Sequence, residues 1–328
     1  MPRARFVRIS FVVWLASLAL ALPGMAAAQA YPAGPIRMVV PFPPAGGTDV
    51  LSRLVTQTVA EARGWNFVTE NRPGAGGNLG LDLVAKARPD GLTIGMAQSS
   101  NLAINPTLFK KMPFDAQKDF VPVVLVASQP TVLVVGERSP YRKLADLLAA
   151  ARAKPGGLTM ASAGNGTVGH LGGELFAKRA NVKWSHIPYK GAAPAMTDVI
   201  GGQVDLNFAT PTAAMALIRS GKLRALAVTS AERLYALPDV PTVAESGFKG
   251  FVAEDWKAVV APAGTPPAAV KALNEAVNAA LAKGEVRAKL ALEGSKPLGG
   301  TPEQLATFLL SEQARWSAAV RDSGASTD

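Results

Sequence analysis

Two stretches of this chain hold residues that could bind an anion, and they share one design. Pro41-Phe42-Pro43-Pro44-Ala45-Gly46-Gly47-Thr48-Asp49 and Ala161-Ser162-Ala163-Gly164-Asn165-Gly166-Thr167 each carry an apolar strand into a glycine-rich turn that ends on threonine and opens a helix. The first-turn amides of a helix have no intrahelical partner and lie at the positive end of its dipole, so such a turn suits a carboxylate or a phosphate. Two of them facing each other would hold one anion from both sides. Asp49 reads as a helix-start residue rather than a base acting on a ligand.

Covalent chemistry has little to work with. Cysteine is absent, no Gly-x-Ser-x-Gly elbow occurs, and the only two histidines, His170 and His186, are not spaced for a metal. These features predict a binding protein with no cofactor and no metal, not an enzyme; a serine–lysine pair remains the one hydrolytic option and ranks last. His170 follows Thr167 by one turn and reads first as a hydrogen-bonded structural histidine, second as a ligand or hinge contact. His186 reads as strand packing. The loop Asn71–Asn78 reads as turn-building and lobe packing, Tyr189-Lys190-Gly191 as a turn, and Phe42 and Trp256 as core, with an aromatic ligand wall second.

The elements that must position these residues alternate. Pro35–Phe42 reads as a strand, Asp49–Ala62 as a helix stopped by Gly64, Trp65–Glu70 as a strand, Leu79–Ala87 as a helix and Leu92–Gln98 as a third strand. The plan repeats later: strand Gly157–Ala161, helix Thr167–Ala180, strand Lys183–Pro188, helix Ala193–Gly201, strand Val204–Ala209 and a helix capped by Thr210 and started by Pro211. Thr131–Val135 and Phe251–Val260 read as strands linking the halves. Two helices follow, Val270–Ala282 after Thr265-Pro266 and Leu305–Arg321 behind the capping box Thr301-Pro302-Glu303-Gln304, both placed on the first lobe. The expected fold is α/β: two doubly wound lobes with mostly parallel sheets, joined by a hinge. Lobe 1 takes residues 31–130 and 255–328, lobe 2 takes 131–254, and the crossovers fall near 128–133 and 251–257.

In a doubly wound lobe whose first strand is central, the loops after strands one and three line the crevice. Those loops are Ala45–Asp49 and Ser99-Ser100-Asn101 in the first lobe, Ser162–Thr167 and Thr210-Pro211-Thr212 in the second. The candidate ligand site takes Ala45, Gly46, Gly47, Thr48, Asp49, Ser99, Ser100, Asn101, Ser162, Gly164, Asn165, Gly166, Thr167 and Thr210 from these loops, with Phe42 and His170. They offer hydroxyls, amides and backbone N–H groups, with hardly a charge apart from Asp49.

The N-terminus has Arg3, Arg5 and Arg8, the apolar run Phe11–Leu22 broken by Pro23 and Gly24, and Ala28-Gln29-Ala30. That pattern predicts a signal peptide over residues 1–30, cleaved after Ala30, and a periplasmic product. The formal charge is +10, and without the three signal arginines 31 basic residues face 24 acidic ones, a net +7. Lys and Arg are scattered singly, which argues against nucleic acid as a partner.

These residues bear a broad resemblance. Pro41–Asp49, Glu70-Asn71-Arg72-Pro73-Gly74-Ala75-Gly76-Gly77-Asn78, Ala85-Lys86-Ala87-Arg88-Pro89-Asp90-Gly91, Pro188-Tyr189-Lys190-Gly191, Leu237-Pro238-Asp239-Val240-Pro241-Thr242 and Ala261-Pro262-Ala263-Gly264-Thr265-Pro266 make the chain resemble the Bug family, the periplasmic receptors of tripartite tricarboxylate transporters. The resemblance implies a type II periplasmic binding fold, a Venus flytrap closing on a di- or tricarboxylate, an aromatic acid or an acidic amino acid held by both glycine-rich turns. It implies delivery to the large and small membrane subunits of a transporter, with a ligand-loaded sensor of a membrane histidine kinase as the alternative; a receptor that must open and present both lobes is expected to be a monomer. One position departs: Ala45 stands where the family usually has a third glycine, which puts a φ > 0 turn there in doubt.

Overall fold

The structure is a computed structural model that describes residues 31–325; the expected signal peptide lies outside the described residues. The chain first lays down β1 (Ile36–Val40), α1 (Gly47–Arg63), β2 (Phe67–Asn71), α2 (Asn78–Ala85) and β3 (Thr93–Gln98). β1 is a nearly continuous buried run because sheet neighbours and helices cover it on both faces. α1 buries Leu51, Val55 and Val59 at helical spacing and stops at Gly64, which takes φ 69°. After β3 the backbone winds through a π-helical turn, Ser100–Ile104, into α3 (Asn105–Leu108) and then β4 (Phe120–Pro130).

A single residue, Thr131, separates β4 from β5 (Val132–Gly136). The second sheet is then built from α4 (Leu144–Ala153), β6 (Leu158–Ser162), α5 (Val168–Ala180), β7 (Trp184–Pro188), α6 (Ala192–Gly201), β8 (Leu206–Ala209), α7 (Pro211–Arg219) and β9 (Leu223–Val228). The chain re-enters the first sheet as β10 (Glu254–Pro262) and closes with α8 (Pro267–Ala282), α9 (Gly284–Leu292), β11 (Lys296–Pro297) and α10 (Pro302–Ser323). The capping box at Thr301 forms, with Thr301 Oγ1 accepting from the Gln304 amide.

The strand orders are β11-β4-β10-β3-β1-β2 and β7-β6-β8-β5-β9. β1 lies between β2 and β3, and β6 between β7 and β8, all parallel, so each sheet has its switch point where the sequence places it. The expectation of mostly parallel sheets needs correction, because β10 runs antiparallel to β3 and β4, and β5 antiparallel to β8 and β9. The cause is topological. β1, β3, β6 and β8 end at the crevice, whereas a strand arriving from the other lobe starts there and must run away from it.

Three passages of chain meet at the neck. Thr229 Oγ1 accepts from the Thr131 amide at 2.8 Å and donates to the Ala253 carbonyl at 2.6 Å, while the Thr229 amide donates to the Thr131 carbonyl and the Ala253 amide to the Thr229 carbonyl. α10 packs on the first sheet and also reaches α5, where Lys178 Nζ donates to the Asp322 carbonyl at 2.6 Å. At its centre Glu312 accepts from the indoles of Trp256 and Trp316 at 2.8 and 3.1 Å. Trp256 is thus fully buried core rather than a ligand wall.

Candidate functional site

Four helices begin at one cavity of about 60 Å³ between the sheets. Gly46, Gly47 and Thr48 bring the N-terminus of α1; Thr167, Val168 and Gly169 that of α5; Gly191 and Ala192 that of α6; Thr210 that of α7. First-turn amides from both sides therefore converge, and among the described residues no Lys or Arg lines this cavity. Phe42, Met196, Val168 and Phe208 supply the apolar part of the wall. Phe42, Pro43, Ala163 and Gly191 also line an adjoining cleft of about 490 Å³, bounded by Pro73–Gly77, Phe109, Gly164, Asn165, Tyr189 and Lys190. The loops after the outer strands β2 and β7, which read as turns, therefore border the crevice.

The lobes touch. A Cβ on Gly47 would come within 2.2 Å of Thr212 Oγ1, and one on Gly191 within 2.8 Å of Pro43. A Cβ on Gly76 would lie 2.7 Å from the Asn165 carbonyl.

Of the residues singled out from sequence, Phe42, Gly46, Gly47, Thr48, Thr167 and Thr210 line the inner cavity, and Gly164 and Asn165 the outer cleft. Thr48 spends its hydroxyl on Gln98 Oε1 at 2.5 Å, and Thr167 caps α5 by accepting from the His170 amide. Thr210 occupies the N-cap position of α7 without a side-chain cap bond.

The others lie elsewhere, for visible reasons. Ala45 takes φ 62°, so the left-handed turn forms without the glycine, and its amide donates to Asp49 Oδ2 at 3.0 Å. Asp49 is buried; burial pushes its carboxyl up, but hydrogen bonds from Arg53, Asn71 and the Ala45 amide outweigh this and hold it low. It ties the turn together. Ser99, Ser100 and Asn101 are fully buried because the π-helical turn winds them inward: Ser99 donates to Asp255, Ser100 accepts from Gln98 Nε2 at 3.0 Å, and Asn101 donates to the Gly76 carbonyl at 2.9 Å.

In the second turn most amides are already used. Gly164 donates to Ser162 Oγ, Gly166 to His170 Nδ1 and Thr167 to the Gly164 carbonyl. Val168 and Gly169, the first two residues of α5, line the cavity instead, and first-turn amides have no intrahelical partner. Ser162 and His170 stand behind the turn, with Ser162 Oγ 2.6 Å from His186 Nε2. His170 stacks on His186, and burial, then the neighbouring ring, lowers it to about 3; burial lowers His186 to about 4.

Sequence reasoning missed Gln98, Asn207 and Asp255, which line the cavity. Gln98 ends β3 one residue before the Ser99–Asn101 loop, and Asn207 and Asp255 belong to strands whose alternation gives no sign of which face meets the crevice. Asp255 pairs with Lys257 Nζ at 2.5 Å, and the two side chains are only 5% and 2% exposed.

The model of the family described as tripartite tricarboxylate transporter family receptor matches residues 51–325. The chain is 40% identical over 314 residues to the protein BugT of Bordetella pertussis, covering 95% of this chain and 96% of that one. Among solved structures, Rpa4515 of R. palustris with adipate superposes with a TM-score of 0.88 at 36% identity, over 90% of this chain and 98% of the other. MatC of Rhodopseudomonas palustris with bound malate gives 0.84 at 33%, over 88% and 100%. The two-lobed binding-protein fold expected from the sequence is the one observed, and the family and its structural neighbours are substrate-binding receptors, not enzymes. The chain belongs to the tripartite tricarboxylate transporter receptor family.

Proposed function

We propose that this receptor works in the periplasm, after loss of residues 1–30, by closing its two lobes on a small carboxylate and handing it to the large and small membrane subunits of a tripartite transporter. The observation that carries the reading is the convergence of four helix N-termini on a cavity without Lys or Arg, a site that attracts an anion through dipoles and amides. Gly47 and Thr48 on one side and Val168 and Gly169 on the other would donate to the anchored carboxylate. Adipate and malate in the structures of related proteins are carboxylates of the size this crevice suits. The outer cleft gives a longer ligand room beyond the anchor. Contacts made by both lobes at once exist only when they are shut, so the ligand selects the closed form.

The test is calorimetry and thermal shift on residues 31–328 against mono-, di- and tricarboxylates, aromatic acids and amino acids. A ligand at 100 times its Kd raises stability by about 2.7 kcal/mol. Gly47→Val, whose side chain would collide with Thr212 across the crevice, is expected to weaken binding at least tenfold while the lobes stay folded. Failure of every acid to bind, or full affinity in the Gly47 variant, would overturn the reading.

A further inference from the structure

The pair Asp255–Lys257 is unexpected where it stands. An ion pair this deeply buried costs desolvation that apolar side chains of like size would avoid, so stability alone does not account for it. Asp255, on β10, lines the very cavity that gathers the helix N-termini, as do Gln98 and Thr48. A bare aspartate there would repel an incoming anion. Lys257 cancels that charge from behind, bonded to Oδ2, and is itself not part of the cavity wall. Ser99 donates to Oδ1, which fixes the carboxylate's orientation. A carboxylate offers about four lone-pair sites, and these two bonds occupy one on each oxygen. What remains is a positioned acceptor, neutralised by its partner, on a residue that lines the cavity.

We propose that Asp255 is a specificity-determining residue that accepts a hydrogen bond from an O–H or N–H donor on the ligand, so the preferred cargo is a short hydroxy- or amino-substituted dicarboxylate rather than a plain one. The inference rests on the carboxylate-receptor reading above. Ser99 and Lys257 act through Asp255 as positioning residues. A plain dicarboxylate would strip water from Asp255 and give nothing back, and buried polar groups left unpaired are how a site rejects an analogue that lacks a donor.

The experiment is calorimetric titration of residues 31–328 with succinate, malate and aspartate, in the wild type and in the charge-balanced double variant Asp255→Ala/Lys257→Met. The expected result is that malate or aspartate binds at least tenfold more tightly than succinate to the wild type, and that this ratio falls to near one in the variant. Equal wild-type affinities for all three would overturn the inference and leave the carboxylate reading standing, and so would a ratio that survives in the variant. Should the variant fail to fold, the wild-type ratio alone decides. If none of the three binds while a longer or aromatic acid does, the inference is again overturned alone; if no acid binds, both readings fall.

Discussion

His170 and His186 lie face to face, ring centroids 3.9 Å apart and planes 11° from parallel, directly behind the second glycine-rich turn. One ring takes the Gly166 amide on Nδ1 and the other meets Ser162 through Nε2, so the stack holds both ends of the turn. The stack resists protonation: burial lowers His170 to about 3, helped by the neighbouring ring, and burial lowers His186 to about 4.

Acid should therefore unfold the protein by way of this stack. Unfolded histidines titrate near 6.5, so as pH falls from there toward 4 the unfolded chain binds protons that the folded one refuses. Stability drops by about 1.4 kcal/mol per pH unit for each ring in that window, and above about 6.5 the two rings contribute no slope. Urea denaturation at pH 7 and pH 5 measures it, and His186→Gln should give a shallower dependence. The same slope in that variant would place the acid sensitivity elsewhere.

Ala45 holds a left-handed backbone at φ 62°, which costs an L-residue about 1–2 kcal/mol and costs glycine almost nothing. Part of the gain from glycine is lost to the freer unfolded chain. Ala45→Gly should still raise stability, by about 0.5–1 kcal/mol, with ligand affinity unchanged because Ala45 does not line the cavity. A lower melting temperature would mean that the strain is relieved some other way.

Thr229→Val should loosen the neck. The change removes the acceptor of the Thr131 amide and the donor to the Ala253 carbonyl, both buried, and leaving such groups unpaired costs about 1–3 kcal/mol each. Amide exchange at Thr131 should rise well above that of the sheet centres. Equal protection in variant and wild type would show that the neck does not depend on this hydroxyl.

Much of this fold is legible in the residues themselves. β1 and α1 announce themselves through apolar period and the glycine that ends the helix, and the repeat of strand, turn and helix around Ala161–Thr167 shows the second sheet. Strand direction at the crevice was not legible, because it depends on which end of a lobe the chain enters by. Nor were α4, α9, β4 and β9, whose patterns are weaker than their packing. At the site, glycine and threonine marked the helix starts correctly, since a turn's conformation is a local matter. The inward placement of Ser99–Asn101 was not legible for the opposite reason: it follows from a π-helical winding and from Asp255, a residue more than 150 positions away.

The place of β10 between β3 and β4 has a consequence for how the molecule is made. The second sheet uses only residues 132–228, whereas the first has a gap at its centre until residues 254–262 arrive. A chain threaded through a membrane amino end first would thus complete its later-starting lobe earlier, while the strands that emerged first wait with one edge open. Limited proteolysis of stalled chains of increasing length would show protection spreading from the middle of the sequence outward. The most exposed moment of such a chain would come before its last seventy or so residues are through.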